Sequence, residues 1–259
     1  IGFVDADDTI ASDFFEKHYS IAVQHQLDIV VSNFKKEQGN HVITVNLSFP
    51  SEKVLDKSFI TSVLFPTFFK NSSLNTCWNK IYRKELLYEF GIKFPVGVPL
   101  GEDYIFNIMA FNNANSVYFM SYSGYLYKEV EGSATRNLIK KDYFKSALAF
   151  YEFNFETYIT TNYTEAQIAE WRSILLVENV LSYINIYLEP NPSISWIYGM
   201  RYVKKMISHP TIENSIRKYE SLLFADKSSY QQFLLKCIKR KSVFTLFLAV
   251  RYSHFRNKK

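Results

Sequence analysis

The sequence has only two cysteines, Cys77 and Cys237, among 259 residues. Two thiols so far apart give neither a disulfide framework nor a zinc site, and they read most simply as small buried hydrophobes in a reducing cytosol. No apolar run approaches the ~18 residues that a bilayer-crossing helix needs, so these residues are not expected to span a membrane. Nor do the few histidines pair with a nucleophile and an acid in any readable triad. Acids are missing altogether after Asp226, where nine bases follow; residues 1–226 carry 21 bases against 25 acids, so a net charge of +5 hides a balance of −4 ahead of a basic tail. A nucleic-acid partner would need bases and exposed aromatics interleaved across the domain, and that balance argues against it.

What the sequence does have is apolar side chains. With 47% hydrophobic residues it belongs to a folded chain able to bury one large core or two modest ones.

The densest chemistry is in FVDADDTI, Phe3 to Ile10, where three carboxylates follow a short apolar run. Two chemistries use such a cluster. In phosphatases of the haloacid-dehalogenase type a strand ends in D-x-D-x-T with the first Asp as nucleophile, and Asp5, Asp7 and Thr9 fit that pattern. In sugar-nucleotide glycosyltransferases a strand ends in D-x-D or D-x-D-D, which holds a divalent cation against a diphosphate, and Asp5, Asp7 and Asp8 fit equally well.

The periodicity is mixed at first and helical later. A helix is expected from Ser12, as N-cap, to about Gln26, with Phe14, Phe15, His18, Ile21 and Ala22 at helical spacing. Leu27 to Phe34 and Val42 to Leu47 read as strands turning at Gly39-Asn40. Short helices fill Glu52 to Phe69, and Thr76 to Phe90 reads as a helix capped by Gly91. A further helix opens at Gly101 with Glu102 and Asp103 in its first turn; Ser116 to Met120 and Gly124 to Tyr127 close the strands. From Leu138 onward the pattern is helical, broken at Glu189 to Pro192 and at His209-Pro210. An α/β part over 1–137 and an all-helical part over 138–259 are therefore expected.

The later pattern separates the two chemistries. The phosphatase needs further parallel strands carrying a Ser or Thr, a Lys and a second acidic pair; Ser121, Lys128, Glu129 and Glu131 stand in for them poorly, because no alternation of strand and helix follows. In contrast, WNKIYRKELLYEFGIKFPVGVPLGEDYIFNIMAF followed by VYFMSYSGYLYKEVEGSAT resembles the acceptor-side half of bacterial family 2 glycosyltransferases of GT-A fold. The shared features are Asn79-Lys80, Arg83 to Leu87, Gly91 to Pro95, Gly101 to Asp103, Tyr125 with Tyr127, and Gly132 to Thr135, in the family's order over residues 1 to about 136.

That resemblance implies an α/β fold of the GT-A, nucleotide-diphospho-sugar transferase kind with Rossmann-like topology, followed by the helical domain. It implies Ile1 to Val4 as a central strand whose preceding uridine-binding region is not in this chain. It implies Mn²⁺ or Mg²⁺ as cofactor, held by Asp7 and then Asp5, which could also contact ribose, with Asp8 at metal or substrate, and Asp103 as the base that deprotonates the acceptor hydroxyl with inversion at the sugar. A position in the first helical turn is expected to favour ionised Asp103. Glu102 would orient the acceptor or Asp103. Asn79 and Lys80 read either as reaching the diphosphate or acceptor, or as a capping Asn and a solvated Lys; Trp78 reads as a core residue more readily than as a sugar platform.

The partners implied by the same resemblance are a nucleotide-sugar donor, UDP-hexose or UDP-N-acetylhexosamine, and a glycan or lipid-linked glycan acceptor in a bacterial surface polysaccharide. A chain without the nucleotide pocket also fits a non-catalytic acceptor-binding fragment. Lys236 to Lys259 has an apolar middle, Val243 to Val250, between basic ends, and reads either as a helix lying on the inner membrane surface or as a terminal helix packed on the bundle.

Overall fold

The computed structural model describes residues 1–96, 101–128, 142–154, 163–191, 193–225 and 227–257. Gly132 to Thr135, Glu129, Glu131 and the expected boundary at 137–138 lie outside the described residues. The chain forms two compact units, Ile1–Arg136 with Asn154–Asn162, and Asn137–Phe153 with Tyr163–Lys259.

The first unit contains, in order, β1 (Thr9–Ile10), α1 (Phe14–His25), β2 (Ile29–Ser32), β3 (Phe34–Gln38), β4 (His41–Val45), β5 (Val54–Asp56), α2 (Lys57–Phe59), a π-helical turn (Ile60–Leu64) and α3 (Phe65–Phe68). It continues with β6 (Lys80–Tyr82), α4 (Lys84–Glu89), α5 (Glu102–Asn113), β7 (Ser116–Met120) and β8 (Tyr125–Tyr127). Two four-stranded sheets result, β5-β7-β2-β6 and β1-β8-β3-β4. In the first, β2 and β7 run parallel and every residue of β2 is buried, as expected for a strand covered on both faces. Val30, Tyr118 and Met120 pack with Ile21 and Ala22 of α1 on one face. Ile29, Val31, Val117 and Phe119, at the alternate positions of the pleat, point to the other.

Several local expectations meet competing forces. Asp13, not Ser12, takes the position before α1, and its carboxylate is used by Tyr122 and Lys17 instead of capping the helix. The stretch from Thr76 to Phe90 is not one helix: Lys80 to Tyr82 pair antiparallel with Ile29 to Val31, and only Lys84–Glu89 is helical. Cross-strand pairing with a buried strand outweighs the helical spacing there. Gly91 adopts φ +59 just after that helix, as its cap role requires. Ile1 to Val4 contributes a single bridge, Gly2 to Ile81, and Ile1 and Val4 are 47% and 44% exposed, so this segment is not the buried strand that its apolar sequence suggests. The strands β3 and β5 went unforeseen; both are short and carry charged residues.

Among the described residues the elements of the second unit are helices: α6 (Tyr143–Glu152), α7 (Glu165–Leu188), α8 (Trp196–Ile207), α9 (Pro210–Phe224), α10 (Ser229–Lys239) and α11 (Val243–Asn257). Its core joins Leu176, Val180 and Ile184 of α7 to Val203, Ile212, Leu235, Leu246 and Val250. His209 caps α9, its Nδ1 accepting from Thr211 N–H. No helix among the described residues is long and apolar enough to cross a membrane.

Candidate functional site

The acidic turn hangs between the two sheets. Before it, Gly2 bridges to β6; after it, Thr9 and Ile10 pair with Leu126 and Tyr125 of β8. The turn closes on itself through Asp8 N–H to Asp5 C=O. Carboxylate oxygens of Asp5, Asp7 and Asp8 all lie within 4.8 Å of one another.

The three acids differ in their bonding. Asp8 is fully engaged: one oxygen accepts from the Tyr125 hydroxyl at 2.7 Å and the other from Lys128 N–H at 2.8 Å. The same Tyr125 oxygen accepts from Asp5 N–H at 3.2 Å. Asp7 is exposed and makes no hydrogen bond or ion pair among the described residues. Asp5 has its carboxyl pushed up to about 6, first by partial burial and then by the negative charges of Asp8, Asp103, Asp7 and Glu102.

Asp103 lies about a hundred positions further on, yet its charge reaches Asp5. Gly101, at φ +95, turns the chain into α5 so that Glu102 and Asp103 stand in the first helical turn. Asp103 Oδ2 accepts from Cys77 N–H at 3.0 Å. Its pKa is raised, burial outweighing the Cys77 hydrogen bond, where the helix position alone suggested the opposite. Glu102 keeps one buried carboxylate oxygen without a hydrogen-bond partner.

Residues 76–80 connect the two motifs from beneath. Cys77 holds Asp103, and the next residue, Trp78, is buried and stacks on Tyr125 with centroids 4.3 Å apart. Trp78 is thus a core residue against the tyrosine that braces the acidic turn. Asn79 and Lys80 face inward on β6 and its lead-in, where neither reading of them placed them. Asn79 Nδ2 donates to Ser32 C=O at 2.8 Å, and its Oδ1 accepts from Thr76 Oγ1 and Lys80 Nζ. Lys80 Nζ also donates to Thr76 C=O, and burial pulls its pKa down to about 8, opposed by nearby groups including Asp103. Burial pushes the Cys77 thiol up, so it stays neutral.

Asn107 is a residue the sequence reading missed. One turn after Asp103 and fully buried, it donates to Asp103 C=O at 2.8 Å and to Asn75 C=O at 3.0 Å, and accepts from the Tyr82 hydroxyl at 2.7 Å. A polar residue within the apolar middle of the helix, four positions after Asp103, was the available signal.

Three carboxylates, Asp5, Asp7 and Asp8, thus form one cluster, and the charges of Asp103 and Glu102 reach Asp5. Three oxygen donors so placed suit a hard divalent cation. The further strands required by a dehalogenase-type phosphatase do not appear: every helix or strand among the described residues after 142 is a helix.

EpsJ of Bacillus subtilis strain 168, an uncharacterized glycosyltransferase, is 32% identical over 135 residues, covering 52% of this chain and 39% of EpsJ. The chain is related to bacterial glycosyltransferases. Glycosyltransferase GlyA of Streptococcus pneumoniae serotype 4 is 31% identical over 140 residues, covering 52% of this chain and 20% of GlyA. The chain thus spans well under half of either relative. No protein-family model matches it. Among solved structures, S. aureus TarS 1-349 in complex with UDP-GlcNAc aligns at a TM-score of 0.55 and 18% identity, covering 99% of this chain and 67% of that one. The likeness shows a shared fold, mixed α/β with a helical region after it.

Proposed function

We propose that this chain is the metal- and acceptor-side part of a GT-A glycosyltransferase of family 2, which moves a hexose or N-acetylhexosamine from a UDP donor to a glycan acceptor with inversion. The observation that carries the proposal is the clustering of the Asp5, Asp7 and Asp8 carboxylates within 4.8 Å of one another; the charge of Asp103, remote in sequence, reaching Asp5 supports it. The fold shared with TarS, a protein crystallised with UDP-GlcNAc and with UDP, supports the choice of donor.

Asp7, free to turn toward a ligand, and Asp5 would hold Mn²⁺ or Mg²⁺; such an ion, when bound, supplies positive charge to a departing diphosphate. Asp8, with both oxygens engaged, fixes the turn that presents them. Asp103 accepts the proton of the acceptor hydroxyl, and its raised pKa moves it in the direction a general base needs. Cys77 N–H and Asn107 hold Asp103 and its helix in place, and Glu102, adjoining Asp103 in the first turn of α5, would orient the acceptor or Asp103. A base acting opposite the leaving group gives inversion. The acceptor in this reading is a glycan or lipid-linked glycan of a bacterial surface polysaccharide.

The test is nucleotide-sugar turnover by the chain together with whatever sequence its gene places on either side. Turnover is expected to need Mn²⁺ or Mg²⁺ and to be lost in Asp7→Asn and Asp103→Asn. Full activity in both variants would overturn the assignment and favour a non-catalytic acceptor-binding role.

A further inference from the structure

Helix α11 is apolar on two opposite faces. Leu246 and Val250 are buried in the helical core. Phe244, Leu248 and Tyr252, spaced four apart and so on one stripe, are 63%, 51% and 68% exposed. Beside them, Tyr230 and Phe233 of α10 join Thr245, Leu248, Ala249 and Tyr252 in a shallow apolar cleft. Soluble helices ordinarily present polar residues where this stripe stands, and a contiguous apolar patch marks an interaction surface.

Charge indicates what the stripe meets. The helical unit has 18 bases against 9 acids, whereas the first unit has 12 against 16. Within the acid-free stretch after Asp226, Lys227, Lys239 and Lys241 pair with Glu178, Glu220 and Glu213. Lys236, Arg240, Arg251 and Arg256 have no acidic partner among the described residues. A second copy of this chain on the stripe would set these cations against their own equivalents. An anionic lipid surface neutralises them, and aromatic side chains with a polar tip, such as Tyr252, suit the headgroup boundary.

We propose that the exposed face of α11, Phe244, Leu248 and Tyr252 with Phe233 of α10, docks the helical unit on an anionic lipid surface, the adjoining bases supplying the attraction. This deepens the transferase reading, since it brings the site to a lipid-linked acceptor, but vesicle binding needs no turnover and the two fail separately.

The experiment is co-sedimentation of the whole chain with phosphatidylcholine vesicles and with vesicles that also contain phosphatidylglycerol. Binding is expected only with phosphatidylglycerol and is expected to weaken as salt rises. The doubly substituted Phe244→Ser, Leu248→Ser chain is expected to bind about tenfold more weakly, since each side chain loses apolar area to bury, with unchanged circular dichroism because both positions face solvent. Lys236→Glu with Arg240→Glu is expected to weaken binding to the anionic vesicles alone. Equal binding to both vesicle types, no binding to either, or a stable dimer in light scattering that the double serine variant dissolves would each overturn the proposal, the last assigning the stripe to a second copy.

Discussion

The Tyr125 hydroxyl stands between the two ends of the acidic turn, donating to Asp8 Oδ2 at 2.7 Å while accepting Asp5 N–H at 3.2 Å. Its ring lies on Trp78, whose neighbour Cys77 donates to Asp103. One short run of chain therefore braces both acidic motifs. Tyr125→Phe keeps the ring stack and removes only the hydroxyl. Stability is expected to fall by about 1 kcal/mol, and apparent Mn²⁺ affinity by roughly 10- to 100-fold, as for other residues that orient metal ligands. Thermal unfolding and a metal titration of turnover check the two parts.

Asp7 and Asp8 adjoin in sequence but differ in what holds them. Asp7→Asn is expected to leave stability within about 0.5 kcal/mol of the parent and to abolish metal-dependent turnover. Asp8→Asn is expected to be the more destabilising, by roughly 1–2 kcal/mol, because it weakens the bonds to Tyr125 and Lys128 N–H. Similar destabilisation by the two would contradict the division of labour.

Asp103→Asn retains an oxygen for Cys77 N–H and loses the negative charge and the ability to take a proton. Turnover is expected to fall by about 10²- to 10⁴-fold with little change in KM for the donor. Steady-state kinetics alongside circular dichroism separate this from a folding defect.

His18 packs between Phe14 and Tyr122, with Nδ1 at 2.7 Å from Phe14 C=O, and burial lowers its pKa below 6.5. Below pH 6.5 the unfolded chain takes up a proton that folded His18 refuses, so stability falls as pH drops from there through the folded pKa. His18→Phe removes that titration. The stability of the parent relative to this variant is expected to decline on acidification and to be level above neutrality; a pH series of denaturant midpoints measures it.

The sequence carried much of the local structure. The apolar spacing from Phe14 onward gave α1, Gly39-Asn40 turned the chain into β4, Gly91 and Gly101 took the positive φ values that end one helix and open another, and the acids of FVDADDTI stood out by density alone. These features depend on neighbours a few positions apart, which a sequence displays directly. Lys80 was not legible in this way: helical spacing and a terminal amine suggested an outward side chain, and only pairing with β2 turned it inward. Asn107 likewise looked like an ordinary helix residue.

By itself, then, the chain determined which residue types were available: a carboxylate cluster after an apolar run, a second acidic pair at a helix start, and a final stretch with bases and no acids. Tertiary structure decided their relations. It brought Asp103 into electrostatic reach of Asp5, engaged Asp8 while leaving Asp7 free, and turned Phe244, Leu248 and Tyr252 outward while Leu246 and Val250 went in. The physical reason is that charge, burial and hydrogen bonding act through space over a few ångströms, and no spacing along the chain encodes which remote residues the sheets and helices will bring that close.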